Sequence, residues 1–418
     1  MTTAELLLLG IVTFVLIDFA ASRVIDYLNE SNKNQPLSPV AAEIYNADEY
    51  AKSMEYGTAK YKVELLTSVV STVVMLSAII LGWFAWLDEI IRERFNNEIA
   101  ITVTFVGVLI AVSMIGSLPV GYYSTFVIEE KYGFIKTTKK LFAADAIKGL
   151  LLSLVIGLPL LALIALVYQE LQSSFWLVGW LLVSAFSLFM FVFGTRIFLP
   201  MFNKLKPLPE GELRTAVEEY CQSQGFPLSK LYEMDASKRS TKLNAFFSGM
   251  GKVKIIGLYD TLIEKLSSLE IEAVLAHELG HFKKNHIRKR MIMTFLMSLA
   301  GLALLGWLSE QMWFYESLGV RPAMDGNNAG LALALFSLVI PTFTYFITPI
   351  GSLLSRQHEF EADAFAAQTT HPKHLISALI KLYQDNAATL TPDTWYSAFY
   401  DSHPPAPIRI AHLNRLAT

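Results

Sequence analysis

Long apolar runs alternate with polar connections along most of this chain. Seven of these runs are near or above the roughly 18 to 20 residues that a helix needs to cross a bilayer. They are Leu6–Ile17 continuing to Ser22, Leu65–Leu87, Ala100–Ile128, Gly149–Gln169, Leu171–Thr195, Met291–Leu308 and Ala329–Ser355. Asp18 interrupts the first run, which has no positively charged start of the kind found in signal peptides, so we interpret it as a retained span.

The composition agrees with a protein built for a membrane. Apolar residues make up 53% of the 418 residues and charged residues only 17%, whereas soluble domains carry about 25% charged residues. Cys221 is the single cysteine, which excludes an intramolecular disulfide. The sequence therefore predicts an all-α integral membrane protein with seven transmembrane helices.

Lysine and arginine are unevenly distributed between the predicted loops. Loops one and three hold five each, loop two holds two, loop four none and loop six one. The positive-inside rule places loops one, three and five and the C-terminus in the cytoplasm, and the N-terminus outside. The five lysines of loop three also suit contact with anionic lipid.

A long polar insert separates spans five and six. Residues 207–211 contain the proline and glycine residues typical of a turn, and a helix is predicted after them at Leu213–Ser223. A small sheet is predicted from Leu231–Met234, Asn244–Ser248 and Val253–Ile256, with Gly249–Gly251 as a hairpin connection. An exposed strand edge can bind an extended peptide through backbone hydrogen bonds, although an ordinary structural hairpin explains the pattern equally well.

The strongest chemical signal lies at the end of this insert, in His277-Glu278-Leu279-Gly280-His281. The spacing of Ser267 and Glu270 is that of a capping box and predicts the start of a helix. Positions i and i+4 share a helix face, so both histidines can bind one metal ion. Glu278 is then placed to take a proton from a water activated by that metal. The motif predicts a zinc peptidase site on the cytoplasmic side.

A catalytic zinc needs a third protein ligand, with the fourth position left open. The richest candidate segment is 356–363, just after the seventh span. Glu359 and Asp363 share a helix face there, so one carboxylate can bind zinc while the other orients a ligand histidine. From the residues alone, Glu359 is as good a candidate for the third zinc ligand as Glu361, His358 and His286 combined.

Six short motifs, in the same order along the chain, resemble those of the type I CAAX prenyl endopeptidases, a family of zinc-dependent membrane proteases. They are Glu129-Glu130-Lys131-Tyr132-Gly133-Phe134, Pro207-Leu208-Pro209-Glu210-Gly211, Asn244-Ala245-Phe246, His277–Phe282 with Asn285-His286, Glu359–Phe365, and Ser402-His403-Pro404-Pro405. The resemblance runs nearly end to end. It implies a seven-helix barrel around a large water-filled chamber, with zinc at the cytoplasmic end.

The resemblance also implies roles for single residues. Glu359 would be the third ligand of one Zn²⁺ per chain, and Asp363 would support the ligands without binding the ion itself. His403 would stabilise the oxyanion of the tetrahedral intermediate, and the strand with Asn244, Ala245 and Phe246 would hold the substrate backbone.

The remaining candidates carry weaker signals. Arg409 could contact a substrate carboxylate, and a structural ion pair explains it equally well. Ordinary structural positions are the expectation for the other histidines, which are His286, His371, His374 and His412.

Two features depart from the eukaryotic members of this family. Tyr132 stands where a histidine is common, and the chain ends at Thr418 without a basic retrieval tail. We therefore expect a bacterial relative in the inner (cytoplasmic) membrane, and a prenylated natural substrate does not follow from the resemblance alone.

These observations predict a membrane zinc metalloendopeptidase that cuts CAAX-type or similar peptides near their C-terminus. The alternative within the enzyme class is a quality-control protease that cuts misfolded membrane proteins. A multi-span solute or metal transporter is disfavoured, because predicted spans two to seven carry no charged residue.

The expected partners are a peptide or protein substrate, which a prenyl group can modify, and membrane lipid, without nucleic acid. The oligomeric state stays open, and a monomer is compatible with every prediction. The chain divides into spans one to five (1–200), the soluble insert (201–290), spans six and seven (291–355) and a C-terminal segment (356–418).

Overall fold

The structure is a computed structural model that describes residues 2–33, 35–248, 254–317, 319–320, 322 and 328–417. Most of these residues are helical. The helices are α1 (Thr3–Asn32), α2 (Pro39–Ala42), α3 (Ala47–Ile80), α4 (Trp83–Arg92), α5 (Glu98–Tyr123), α6 (Lys139–Leu152), α7 (Leu158–Leu171), α8 (Phe175–Phe202), α9 (Glu212–Ser223), α10 (Asp260–Lys265), α11 (Ser268–Lys283), α12 (His286–Ser309), α13 (Met312–Glu316), α14 (Ala329–Tyr345), α15 (Thr348–Thr369), α16 (Pro372–Asp385), α17 (Thr394–Tyr400) and α18 (Ala406–Leu416).

Seven spans are present if one bent pair is counted as a single span. Six continuous helical segments of the described chain are long and apolar enough to cross a membrane, and α14 and α15 form a seventh span with a bend of 58°. The predicted membrane-helix class is confirmed. Helix α3 is much longer than its apolar run, since its 34 residues extend about 51 Å at 1.5 Å per residue. Its polar first half therefore reaches beyond the hydrocarbon core.

The spanning helices contact one another in a closed ring. Helix α1 contacts α3, α3 contacts the π-helical end of α5 (Ser124–Glu129), and α5 contacts α7. The ring continues from α7 to α8, α12 and α14, which returns to α1. This order of contacts confirms the predicted barrel.

One end of the barrel is sealed by an apolar cluster. Phe105, Phe175, Tyr315 and Leu335 are almost completely buried there. Helices α14 and α5 meet across the ring at this end, and Gly330 permits the approach because a Cβ on it would lie 2.9 Å from the Cα of Thr102. The zinc motif precedes α12, whereas the cluster packs on the last turns of α12. The seal therefore lies opposite the peptidase part.

The insert contains a four-stranded sheet, which confirms the expected small sheet. Its strands are β1 (Leu205–Pro207), β2 (Leu228–Met234), β3 (Ala245–Ser248) and β4 (Lys254–Tyr259), in the order β1-β2-β4-β3. Strands β2 and β4 are parallel, and the other two pairs are antiparallel. Strand β1 was not expected, because Leu205-Lys206-Pro207 is too short to show alternation. The predicted connection Gly249–Gly251 lies outside the described residues.

Helix α11 packs against α15, α16 and α9. Ser267 and Glu270 form the predicted capping box at its start. Ile271, Leu275 and Leu279 recur every four residues and are buried in the core of the insert. Because these side chains occupy one face, the helix turns its histidines away from the core and towards α15.

Two groups of polar contacts connect the insert to helices of the barrel. Arg239 donates hydrogen bonds to both carboxylate oxygens of Asp145, the shortest 2.9 Å. Lys242 donates to the hydroxyl of Tyr56 at 2.8 Å, and that hydroxyl donates to Glu129 at 2.5 Å. Glu129 belongs to the motif between spans three and four, so the structure gives that motif a role in fixing the insert over the barrel.

We predict that Glu270→Gln weakens the start of the zinc helix. Glu270 accepts hydrogen bonds from the Ser267 amide, Ser377 and Lys381 at 2.6 to 2.7 Å. Burial raises its pKa, but these donors outweigh burial and lower it to about 2. The expected loss at pH 7 is about 1–2 kcal/mol of unfolding free energy, measured as a lower Tm in detergent.

The pH dependence gives this prediction a specific signature. A depressed pKa contributes stability that is complete above the unfolded value of about 4.3 and is lost as the pH falls towards about 2. The difference in Tm between parent and Glu270→Gln should therefore shrink over that interval. Glu264→Gln, an exposed carboxylate on α10, is the control and should leave Tm unchanged. An equally large difference near pH 2 would contradict the assignment.

Candidate metal centre

Three side chains from two helices converge beneath the barrel. His277 and His281, on α11, bring their Nε2 atoms within 3.2 Å of each other. Glu359, on α15, places Oε2 3.3 Å from His277 Nε2 and Oε1 3.2 Å from His281 Nε2. Among the described residues these three form the group of possible metal ligands. The structure thus brings the three predicted zinc ligands together.

The geometry and chemistry of this group fit a zinc ion. Two ligand atoms bound at about 2.0–2.1 Å to a tetrahedral zinc lie about 3.3 Å apart. The two Nε2 atoms have nearly this spacing, and each lies at a similar distance from one Glu359 oxygen, Oε2 for His277 and Oε1 for His281. Oxygen Oε2 of Glu359 is also buried without a hydrogen-bond donor in the described part of the chain. A buried carboxylate oxygen without a partner is costly, and a metal ligand role explains it.

A glycine allows the two ligand helices to approach closely. Gly280 faces Ala362, and a Cβ on Gly280 would lie 2.8 Å from the Cα and 3.0 Å from the carbonyl oxygen of Ala362. These are backbone atoms, which cannot rotate away as a side chain can. Position 280 therefore sets the distance between α11 and α15, and with it the reach of Glu359.

Asp363 lies behind His277, as expected from its position four residues after Glu359. Its Oδ1 is 2.8 Å from His277 Nδ1, which leaves Nε2 free to face the metal position. Burial and the charge of Arg409 lower the pKa of His277, but the neighbouring carboxylates of Asp363 and Glu359 outweigh them and raise it to about 9. The carboxylates thus favour positive charge at or beside this imidazole, which a divalent cation supplies.

Arg409 lies inside this network. It donates two hydrogen bonds to Asp363, at 2.6 and 2.9 Å, and is buried. Burial lowers the pKa of Arg409, but Asp363 raises it above its ordinary value overall. The structure favours the ion pair over the alternative, a contact with a substrate carboxylate.

His286 has contacts that its assignment to an ordinary position did not foresee. Its Nδ1 lies 3.0 Å from His281 Nδ1, and its Nε2 lies 3.0 Å from Oε2 of Glu361. The spacing of five residues hides this relation, because residues five apart do not share a helix face. Asn285 has φ 57° and separates α11 from α12, which turns the chain so that His286 meets His281. The residue pattern does contain one signal, the Asn285-His286 pair directly after the helix.

His403 lies beside the ligand cluster. The Nε2 atom of His403 is 3.4 Å from Oε1 of Glu359, and its Nδ1 is 2.9 Å from the Ser402 hydroxyl. Desolvation lowers the pKa of His403, and the charge of Glu359 opposes this shift. His403 also lines a cavity of about 430 Å³, together with residues from α1, α3 and the segment 383–405.

The segment that carries His403 is fixed by the ligand helix itself. Arg356 of α15 donates hydrogen bonds to the carbonyl oxygens of Ser397 and Asp401, at 2.6 and 3.1 Å. Sequence reasoning did not identify Arg356, because backbone carbonyls leave no pattern in the residue types.

The predicted substrate strand is the last strand of the described sheet. Asn244 is exposed and its side chain accepts from the Ala245 amide at 2.8 Å. Phe246 behaves differently, since its ring covers Gly257 on β4, where a Cβ would meet it at 2.0 Å. The position of Asn244 and Ala245 suits backbone pairing with a peptide, whereas the Phe246 ring packs on the sheet.

A two-histidine helix, a carboxylate from a second helix and a cavity at the mouth of a membrane barrel define a membrane-embedded metallopeptidase. Comparison with known proteins agrees. A family model described as peptidase family M48 matches residues 207–417, and a model described as "CAAX prenyl protease N-terminal, five membrane helices" matches residues 26–204. The chain belongs to peptidase family M48 and is a metallo-endopeptidase.

Individual relatives match over nearly the whole chain. The CAAX prenyl protease 1 homolog of Oryza sativa is 34% identical over 88% of this chain and 88% of the relative. CAAX prenyl protease 1 of Saccharomyces cerevisiae is 34% identical over 90% and 88%, respectively. The crystal structure of S. mikatae Ste24p superposes with a TM-score of 0.92 at 30% identity, covering 99% of both chains. These relatives are eukaryotic, so they do not support the expected bacterial origin.

We predict that Gly280→Ala separates the ligand helices and weakens metal binding. The added methyl has no room against the Ala362 backbone, so we expect at least about a tenfold loss of zinc affinity and a lower Tm. Gly351→Ala on α15 is the matched control, because a Cβ there meets nothing within 4 Å. Zinc affinity can be measured by competition with a chromophoric chelator. Equal affinity in the two variants would show that the approach at Gly280 does not control the site.

Proposed function

We propose that this protein is a zinc-dependent endopeptidase that cleaves CAAX-type peptides near their C-terminus. The observation that carries the proposal is the cluster of His277, His281 and Glu359 beside His403, which lines a cavity at the mouth of the membrane barrel. The names of the relatives, CAAX prenyl proteases, support the substrate class.

Each residue has a distinct task in this proposal. A zinc ion held by the three ligands would supply a Lewis acid for the peptide carbonyl and would lower the pKa of water towards neutrality. Glu278 accepts the proton of the attacking water and passes it to the leaving amine. Its place on α11, one residue after His277, keeps its carboxylate within reach of the same space.

His403 is the proposed donor to the oxyanion. A Ser402 hydroxyl that donates to Nδ1 of His403 leaves the proton of the neutral ring on Nε2. That N–H points towards the ligand cluster, because Nε2 is 3.4 Å from Glu359. A preorganised donor of this kind is worth about 3–4 kcal/mol in the transition state.

Substrate binding is assigned to β3. Ala245 begins this terminal strand of the sheet and Asn244 directly precedes it, so an extended peptide can add to its edge through backbone hydrogen bonds. Phe246 supports the strand by covering Gly257. Arg409 supports the site through Asp363.

The proposed orientation places the metal centre and the C-terminus in the cytoplasm and the N-terminus outside. The supporting observation is the five basic residues in each of loops one and three. The bacterial inner membrane stays a prediction, and the eukaryotic relatives named above do not favour it.

The decisive experiment is cleavage of a prenylated CAAX peptide by the purified full-length protein in detergent. Release of the C-terminal fragment, followed by mass spectrometry, is expected from the parent. Glu278→Gln should lower kcat by about 10²–10⁴-fold because the proton acceptor is lost, with zinc content unchanged. A chelator should abolish cleavage, and added zinc should restore it.

The same assay distinguishes the proposed CAAX endopeptidase from the alternative, a quality-control protease. A zinc-loaded parent that ignores the CAAX peptide but cleaves an unfolded membrane protein would assign the chain to quality control instead. An unprenylated CAAX peptide, run alongside, shows whether the lipid group contributes to KM.

A second prediction concerns His403. His403→Ala should lower kcat by about 10²–10³-fold with little change in KM, because the interaction is made with the oxyanion and not with the bound substrate. Zinc content should stay at the parental level, since the ligands are elsewhere. Loss of zinc in this variant would instead make His403 a ligand, and an unchanged kcat would remove it from the mechanism.

A further inference from the structure

His286 is a buried imidazole placed between a metal ligand and a carboxylate. It is 2% exposed, and both of its ring nitrogens have a partner. Nδ1 lies 3.0 Å from His281 Nδ1, and Nε2 lies 3.0 Å from Glu361 Oε2. The three side chains therefore form a line that begins at Glu361 on α15 and ends at the metal position.

The chemistry of the three groups fixes where the protons lie. An ionised carboxylate only accepts hydrogen bonds, so His286 carries its proton on Nε2 and donates it to Glu361. The neutral ring then has a lone pair on Nδ1, which can only accept. His281 must supply the proton from its own Nδ1, and its lone pair is consequently on Nε2, which faces Glu359 and His277.

Packing keeps this line in place. The ring of His358 stacks on His286 with centroids 4.0 Å apart and an angle of 14° between the planes. The His281 and His286 rings are 5.1 Å apart at 72°. A parallel neighbour on one face and fixed partners at both nitrogens prevent the His286 ring from turning away.

We propose that His286 and Glu361 are positioning residues that hold His281 in the tautomer and orientation needed to bind the metal. The inference rests on the metal-binding role proposed above. The contact of His286 with His281 corresponds to the contact of Asp363 with His277. His277 is held directly by a carboxylate, whereas His281 is held by a carboxylate acting through a second imidazole.

The test compares zinc affinity and the Co²⁺ absorption spectrum in four variants of the full-length protein. In His286→Leu the acceptor is lost while the bulk is kept, so zinc should bind about 10–100-fold more weakly, with an altered Co²⁺ spectrum. His286→Asn places an amide oxygen near the position of Nδ1 and should restore affinity to within about threefold of the parent. Glu361→Ala should weaken binding, because His286 loses the partner that fixes its proton.

His374→Gln on α16 is the matched control and should leave both measurements unchanged. The chelator competition and the Co²⁺ spectrum are read without substrate, so they do not depend on activity. If His286→Leu fails to fold, Glu361→Ala decides the question, because that side chain is 35% exposed and its loss leaves the core intact. Parental zinc affinity in both His286→Leu and Glu361→Ala would overturn the positioning role. A parent protein that binds no zinc would overturn the proposed function as well.

Discussion

The contact between α11 and α15 is the constraint on which the rest of the structure depends. Gly280 and Ala362 approach to backbone distance, and every ligand of the metal centre lies on one of these two helices. Helix α11 leads into α12, and α15 continues α14, so both helices are extensions of neighbouring members of the barrel. The packing that forms the ring of membrane helices therefore also brings the three metal ligands together.

The buried carboxylates at this contact make the metal position favourable for a cation. Glu359 and Asp363 are almost completely buried, and Arg409 is the cation that contacts both. Two carboxylates and one guanidinium leave one negative charge in a region where an uncompensated charge is expensive. A divalent ion at the histidines reverses that excess. The residues that orient the ligands thus also make the site favour a cation.

The sequence predicted the parts of this site that depend on local periodicity. The capping box, the histidine pair and the pair Glu359 and Asp363 each lie within one helix, where spacing fixes direction. The missing parts depend on backbone turns and tertiary contacts. His286 reaches His281 only because Asn285 has positive φ, and Arg356 acts on carbonyl oxygens that any residue type supplies.

Helix α15 performs three tasks within two turns. Arg356 holds the segment with His403, Glu359 faces the metal position and Asp363 fixes His277. One helix therefore sets the distance between the proposed oxyanion donor and the ligands. Pro349, at the start of α15, cannot donate a backbone hydrogen bond into the preceding turn. The span breaks there with a 58° bend, and beyond this bend the carboxylates of α15 meet the histidines of α11.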